Sequence, residues 1–150
     1  MPASRADLGH TLDAFVAAFN DVDLDRTMSY FAENAEYRPG NGSVHRGVAA
    51  IRKEFAPQFA DRFGRLSFDV YDKIVDEPGR RATIRWACRI DLTGPHGGRA
   101  WLPLRLIGRA RYGGRLQWHG VDVLHFDEDG RITGKYTYAT FRRPLFEPVG

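Results

Sequence analysis

The sequence predicts an α+β fold in which three helices come first and cover one face of an antiparallel or mixed sheet. Three observations predict it. Apolar residues recur at helical spacing as far as Phe59. After Gly64 the period changes to alternation. The stretch from Arg115 to Ala139 holds two runs rich in β-branched and aromatic residues around Asp127-Glu128-Asp129-Gly130, the pattern of an antiparallel hairpin.

The elements follow in order. Residues 1–4 read as a loose terminus. From Arg5 to Asn20, Leu8, Leu12, Phe15, Val16 and Phe19 form a helical stripe. Asn20-Asp21-Val22-Asp23 breaks that helix, and Asp23 suits the N-cap of the next. The second helix carries Leu24, Met28 and Phe31 and is expected to end over Phe31–Ala35. Short extended pieces at 35–38 and 43–46 flank the turn Pro39-Gly40-Asn41-Gly42. Gly47 opens a third helix with Val48, Ile51, Phe55 and Phe59 on its apolar side. Pro57 is expected to kink or restart it, because proline has no N–H and its ring crowds the preceding turn.

Leu66, Phe68 and Val70 then alternate with polar residues in a strand that continues to Val75, and Asp76–Gly79 makes a turn. From Arg81 to Leu92, Ile84, Trp86, Cys88 and Ile90 fall on one side of a strand and Arg85, Ala87, Arg89 and Asp91 on the other. Residues 94–98 read as a loop. Trp101 to Tyr112 reads as extended, weakened by Pro103 and Gly108. The region from Gly94 to Gly114 is expected to form an extra ribbon or lid. The tail from Phe141, with Pro144 and Pro148, reads as irregular. Without repeats or a linker, residues 1–150 are expected to form one domain.

Composition narrows the function classes. Ten Phe, six Tyr and three Trp suit either a packed sheet surface or an apolar ligand cavity. The net charge is +3, but Lys and Arg are spread along the chain with no nucleic-acid recognition motif, so no nucleic-acid partner is expected. A single Cys excludes an internal disulfide framework, and no metal-ligand spacing such as His-Glu-x-x-His occurs. No apolar run is long enough to span a bilayer and no signal peptide is evident, so a soluble cytoplasmic protein without a membrane partner is expected.

One residue breaks the pattern of its own strand. Asp122 lies between Val121 and Val123 in a run that is otherwise apolar or aromatic. A carboxylate there needs a partner or a wet cavity, because an isolated buried charge costs several kcal/mol. Either it lines a cavity or it bonds to a backbone group or a neighbouring Tyr.

The same segments carry a resemblance. Phe19-Asn20-Asp21-Val22-Asp23-Leu24 followed by Phe31-Ala32-Glu33-Asn34-Ala35, then Arg46-Gly47-Val48-Ala49-Ala50-Ile51-Arg52, then Gly120-Val121-Asp122-Val123 through Gly130-Arg131-Ile132 resemble the nuclear-transport-factor-2-like superfamily in order and spacing. That superfamily includes ketosteroid isomerase, SnoaL-like polyketide cyclases, scytalone dehydratase and limonene epoxide hydrolase. The resemblance implies a SnoaL-like domain with a strongly curved sheet forming a cone around an internal pocket. It implies a small hydrophobic or aromatic ligand, a homodimer, and no cofactor. It places Asp122 in the pocket with Trp118 and Gly120, and turns His119, Val121 and His125 outward.

The resemblance also shows what is missing. The isomerase's general base falls at Arg38, which cannot abstract a proton, and its phenolic group falls near Phe15. Steroid-type enolisation by that mechanism is therefore not expected. SnoaL-like acid/base chemistry with Asp122 as acid/base or oxyanion donor is the first expectation. Arg38 and Arg89 would hold anionic groups, and Tyr37, His45, Trp86, Trp118 and Tyr136 would bind substrate. Arg89-Ile90-Asp91 also matches the Arg/Asp spacing of limonene epoxide hydrolase, although the last strand offers Lys135-Tyr136-Thr137-Tyr138 where that enzyme has a second carboxylate. A binding or dimerisation module without catalysis is the alternative. Each residue also has a plainer reading: Arg89 and Asp91 as a solvated pair, His45 as a surface residue, Trp86 and Trp118 as core, and Tyr136 as sheet packing.

Overall fold

A computed structural model of the protein describes residues 7–60, 64–93 and 102–140. Its elements are α1 (Leu8–Asn20), α2 (Leu24–Met28), β1 (Phe31–Arg38), β2 (His45–Arg46), α3 (Val48–Phe59), β3 (Arg65–Asp76), β4 (Arg81–Asp91), α4 (Leu102–Tyr112), β5 (Arg115–Phe126) and β6 (Ile132–Ala139). The strands form one six-stranded open sheet in the order β2-β1-β6-β5-β4-β3. It is mixed: β1 runs parallel to β6, and the other neighbours are antiparallel. The expected loose terminus at 1–4, the loop at 94–98 and the irregular tail from Phe141 lie outside the described residues.

The sheet's inner face and the helices bury one aromatic core. Leu8, Leu12 and Phe15 of α1 and Ile51 and Phe55 of α3 are nearly inaccessible. Phe55 meets Phe19, Phe31 and Tyr37 at ring-centroid distances of 5.8, 5.9 and 5.0 Å, in the edge-to-face arrangement that ring quadrupoles favour. α1 is tied to the free edge of the sheet by a side chain that imitates a strand. The Asn20 amide donates from Nδ2 to the Phe68 carbonyl (2.9 Å) and accepts at Oδ1 from the Phe68 N–H (2.7 Å). One residue that reads as a helix breaker thus satisfies a backbone donor and acceptor on edge strand β3. Asp7 and Asp23 cap α1 and α2 through their side chains, accepting from the His10 and Arg26 N–H groups.

The structure differs from the sequence expectations in three places. The second helix stops at Met28, and Phe31 opens β1 instead of ending the helix. The reason is long-range: Phe31 pairs with Ile132 across the parallel β1–β6 contact, and local periodicity contains no trace of that partner. α3 does not restart at Pro57 but runs through it to Phe59. Only the last turn lies beyond it, so little of the helical ladder is lost. The stretch read as extended, 101–112, is the helix α4 over its described part, the fourth helix among the described residues, with no ribbon over 102–112. Pro103 is its second residue, where a missing N–H costs nothing because that group has no intrahelical partner.

One glycine is set by its neighbour. Gly120 in β5 lies beneath the indole of Trp86, and a Cβ there would fall 2.4 Å from Cζ2 and 2.5 Å from Cη2. Gly120→Ala is expected to lower stability by about 1–3 kcal/mol through overpacking, measured by urea denaturation. An unchanged midpoint would show that the indole is free to move away.

Candidate active site

The inner face of the sheet and the helices above it enclose a cavity of about 780 Å³. That falls within the ~300–1,000 Å³ of ordinary small-molecule sites. Its walls are mostly apolar: Phe15 and Phe19 from α1, Phe55 from α3, Leu66 and Phe68 from β3, Ile84, Trp86, Cys88 and Ile90 from β4. α4 contributes Tyr112, and Trp118 and Leu116 come from β5.

Against this apolar lining sits a compact polar group. Asp122 is 4% exposed and Lys135 7%. Lys135 Nζ lies 2.9 Å from Asp122 Oδ2 and donates to Thr137 Oγ1 at 2.9 Å. The Thr137 hydroxyl donates to Asp122 Oδ1 at 2.5 Å. Each carboxylate oxygen therefore has its own donor. The ammonium also stands 4.9 Å from the centre of the Tyr37 ring, within cation–π range.

Sheet register explains why these three side chains meet. Asp122 is directly opposite Thr137 in the β5–β6 ladder, and Leu124 is opposite Lys135. Lys135 and Thr137, two residues apart, point to the same face, so both reach Asp122, one across and one on the diagonal. Tyr37 pairs with Lys135 in the parallel β1–β6 contact, which brings its ring over the ammonium. All four residues line the cavity. A second polar feature lies at its margin: Glu54 of α3 lines the cavity, and its Oε2 is 3.5 Å from His45 Nε2. The same nitrogen is 3.0 Å from Ser43 Oγ.

The residues singled out from the sequence separate by strand parity. Asp122, Tyr37, Trp86 and Trp118 line the cavity, and Gly120 shares their side of β5. His45 stands at the margin, its ring centroid 6.1 Å from that of Tyr37. Four others lie on the opposite face of the sheet. Arg38 is exposed and donates from Nε to Glu36 Oε1 (2.7 Å), and this bond is the main cause holding the Glu36 carboxyl below the usual carboxylate range. Arg89 points outward to Asp69 (3.3 Å) and Gln117 (3.4 Å). Asp91 accepts from the backbone N–H and the hydroxyl of Thr93. Tyr136 packs against His125, 5.2 Å between centroids, and burial there lowers the His125 pKa. The Arg89/Asp91 hydrolase reading is therefore corrected: alternation along β4 puts Trp86, Cys88 and Ile90 inward and these two charges outside the cavity. The same parity removes Arg38 and Tyr136 from the substrate-binding set.

Lys135, Thr137 and Glu54 were not identified from the sequence. For Lys135 a signal was present. A Lys two residues before Thr137, in a strand of Ile, Tyr and Thr, is the same kind of anomaly as Asp122, and the hairpin turn that joins the strands brings the two together.

Helices that roof an apolar cavity on a six-stranded mixed sheet give the nuclear-transport-factor-2-like fold. Residues 12–135 match the family described as a SnoaL-like domain, and the chain belongs to that family. It is 29% identical over 90 residues to the austinoid biosynthesis cluster protein H of Aspergillus calidoustus, a match covering 56% of this chain and 61% of that protein. The match thus spans about three-fifths of that relative's length. Among solved structures it is similar to SalBIII, described as an epoxide hydrolase/cyclase-like enzyme in pyran ring formation in the polyether salinomycin. The TM-score is 0.68 and the identity 18%, over 89% of this chain and 91% of that one. It is also similar to AusH from Aspergillus nidulans, with TM-score 0.67 and 18% identity over 93% of this chain and 88% of the other. These two likenesses establish the fold.

Among the described residues no group of three or more His, Cys, Asp or Glu gathers in a way that could hold a metal ion, and no helix is long and apolar enough to cross a membrane.

The ionic group makes a stability prediction. Removing one member of a buried pair leaves the other charge uncompensated, so Lys135→Met is expected to cost about 3–5 kcal/mol. Adding Asp122→Leu should recover a large part of that loss. Denaturant titration of the single and double variants measures both. A double variant no more stable than Lys135→Met would show that the two side chains are not coupled.

Proposed function

We propose that the protein is a cofactor-free acid/base enzyme acting on a small hydrophobic, oxygen-bearing molecule, in the manner of SnoaL-like cyclases and isomerases. The observation that carries this reading is the placement of Asp122, Lys135 and Thr137 on the floor of an otherwise apolar cavity. An apolar wall binds a hydrocarbon skeleton without specifying its orientation, and a single polar cluster then fixes which end of the ligand reacts.

The roles follow from the inventory of donors. Lys135 has three N–H bonds; Asp122 and Thr137 take two, and the third faces the region of the Tyr37 ring. A substrate carbonyl, ether or epoxide oxygen entering there would accept it, and the ammonium would stabilise negative charge developing on that oxygen. Asp122 would take a proton from an adjacent C–H or O–H and return it at the new position, so the proton balance closes without a cofactor. Thr137 holds the carboxylate in place. The role of SalBIII in pyran ring formation favours ring-forming chemistry, and the likeness to a protein of the austinoid biosynthesis cluster favours a biosynthetic setting.

The second reading, a ligand-binding module without catalysis, is favoured by one feature: both carboxylate oxygens are already satisfied inside the protein. A panel of cyclic ketones, enones and epoxides, followed by chromatography for conversion and by Trp fluorescence for binding, separates the two. With a substrate so found, Asp122→Asn is expected to lower kcat by about 10²–10⁴ while binding changes little. Full turnover in that variant would sink the acid/base assignment. Binding without conversion across the panel would support the second reading.

We also propose a homodimer formed through the outer sheet face. There Tyr71, Ile74 and Tyr138 are exposed beside the Asp72–Arg85 and Asp69–Arg89 pairs. Balanced charge around exposed apolar side chains allows the face to meet its own copy across a two-fold axis. Sedimentation equilibrium should give twice the 17.0 kDa of the chain, and a mass of one chain would overturn the proposal.

A further inference from the structure

α4 presents its apolar side to solvent. At about 100° per residue, Leu102, Leu106, Ala110, Pro103 and Ile107 fall within one arc of roughly 140°. Leu102, Leu106 and Ile107 are 59%, 59% and 61% exposed. The opposite side, at Gly108, is the one that touches the body of the protein. Gly108 is buried, and a Cβ there would fall 2.3 Å from Leu92 Cδ1 and 3.4 Å from Leu116 Cδ1. Among its described side chains, the helix thus meets the body at Gly108 and turns Leu102, Leu106 and Ile107 to solvent.

Charge borders this arc. Arg109 falls next to Leu102 on one edge and Arg111 lies beyond Ile107 on the other, and both are exposed. From Leu92 to Val121 the sequence contains no Asp or Glu, while it carries Arg99, Arg105, Arg109, Arg111 and Arg115. Elsewhere on the surface several exposed Arg residues are paired with acids, as in Arg85–Asp72, Arg89–Asp69 and Arg52–Asp25.

We infer that α4 is an interfacial helix that lays this face on an anionic lipid bilayer. Outward apolar side chains flanked on both sides by arginines are what such a surface selects: the Leu and Ile side chains enter the headgroup–acyl boundary and the guanidinium groups meet lipid phosphates. A helix of eleven residues is too short to cross a bilayer but long enough to lie in its interface. The position also suits the cavity. Tyr112, the last residue of α4, lines it together with Arg115 and Leu116 just beyond, so the helix stands beside the space that would take an apolar ligand. Such ligands concentrate in bilayers. This last point rests on the function proposed above; the lipid-binding inference does not.

The test is co-sedimentation of the full chain with vesicles of phosphatidylcholine alone and of phosphatidylcholine containing a quarter phosphatidylglycerol. Binding to the anionic vesicles only, weakening as salt is raised, is expected. Leu106→Glu with Ile107→Glu should reduce the partition coefficient at least about tenfold with an unchanged melting temperature, since both side chains are exposed. Arg109→Glu with Arg111→Glu should reduce it comparably and flatten the salt dependence. No sedimentation of the wild type with anionic vesicles would overturn the inference. So would equal binding by the Leu106→Glu, Ile107→Glu variant. Self-association of the wild type that the same variant abolishes, without vesicle binding, would assign the face to a second copy instead. Conversion assays are not involved, so failure here leaves the catalytic reading standing, and the reverse holds too.

Discussion

The contact between Asp122 and Lys135 constrains the rest of the molecule. Two opposite charges stand inside an aromatic shell, each more than nine-tenths buried, and neither is tolerable there without the other. Their meeting depends on the register of the β5–β6 hairpin. A slip of one residue would carry Lys135 and Thr137 to the outer face and leave Asp122 alone among Trp86, Phe68 and Ile84. The hairpin turn therefore selects a register as well as joining two strands. Asp127 accepts from the backbone N–H groups of Asp129 and Arg131 at Oδ1, and its carbonyl receives the Arg80 guanidinium. That turn is thus fixed from within and held from the neighbouring β3–β4 turn.

The same contact explains how the cavity can be large without collapsing. A hydrocarbon hollow bordered by flexible side chains tends to be filled by them. Here the floor is pinned by charge-assisted hydrogen bonds. The roof is built from Phe15, Phe19 and Phe55, whose edge-to-face contacts leave few alternative packings. Asn20 fixes the end of α1 to β3, so the roof cannot tilt freely. Rigidity on both sides keeps the space between them open to a ligand.

Most of the fold was legible because its signals are local. The stripes of α1 and α3, the alternation of β3, β4 and β5, and the acidic turn before β6 each lie within about a dozen residues. β1 was half missed because its start is decided by Ile132, a partner some hundred residues away that no local window contains. α4 is not legible locally, because Pro103 and Gly108 at their average effect both weigh against a helix. In place, the proline sits where its missing N–H is free, and the glycine is where Leu92 needs room. In the site, Asp122 was found as an apolar-context anomaly and its parity with Trp118 and Gly120 was right. Arg38, Arg89 and Asp91 enter by correspondence with relatives, and alternation along the strands of these three and of Tyr136 places all four outside. Lys135 is hard to read because its partner Asp122 lies on the other strand of the hairpin and is set by register.

The place of β6 in the sheet has a consequence for biosynthesis. It is the last of the described strands, yet it lies between β1 and β5 and closes both. Until it emerges from the ribosome, β1 lacks its inner neighbour, the β5 edge stands open, and Asp122 has no counter-charge. Closing the sheet must therefore wait for β6, which pairs with β1 across some hundred residues, the kind of non-local closure that slows folding. The interval in which those two edges are unpaired is also when nascent chains are most exposed to pairing with each other.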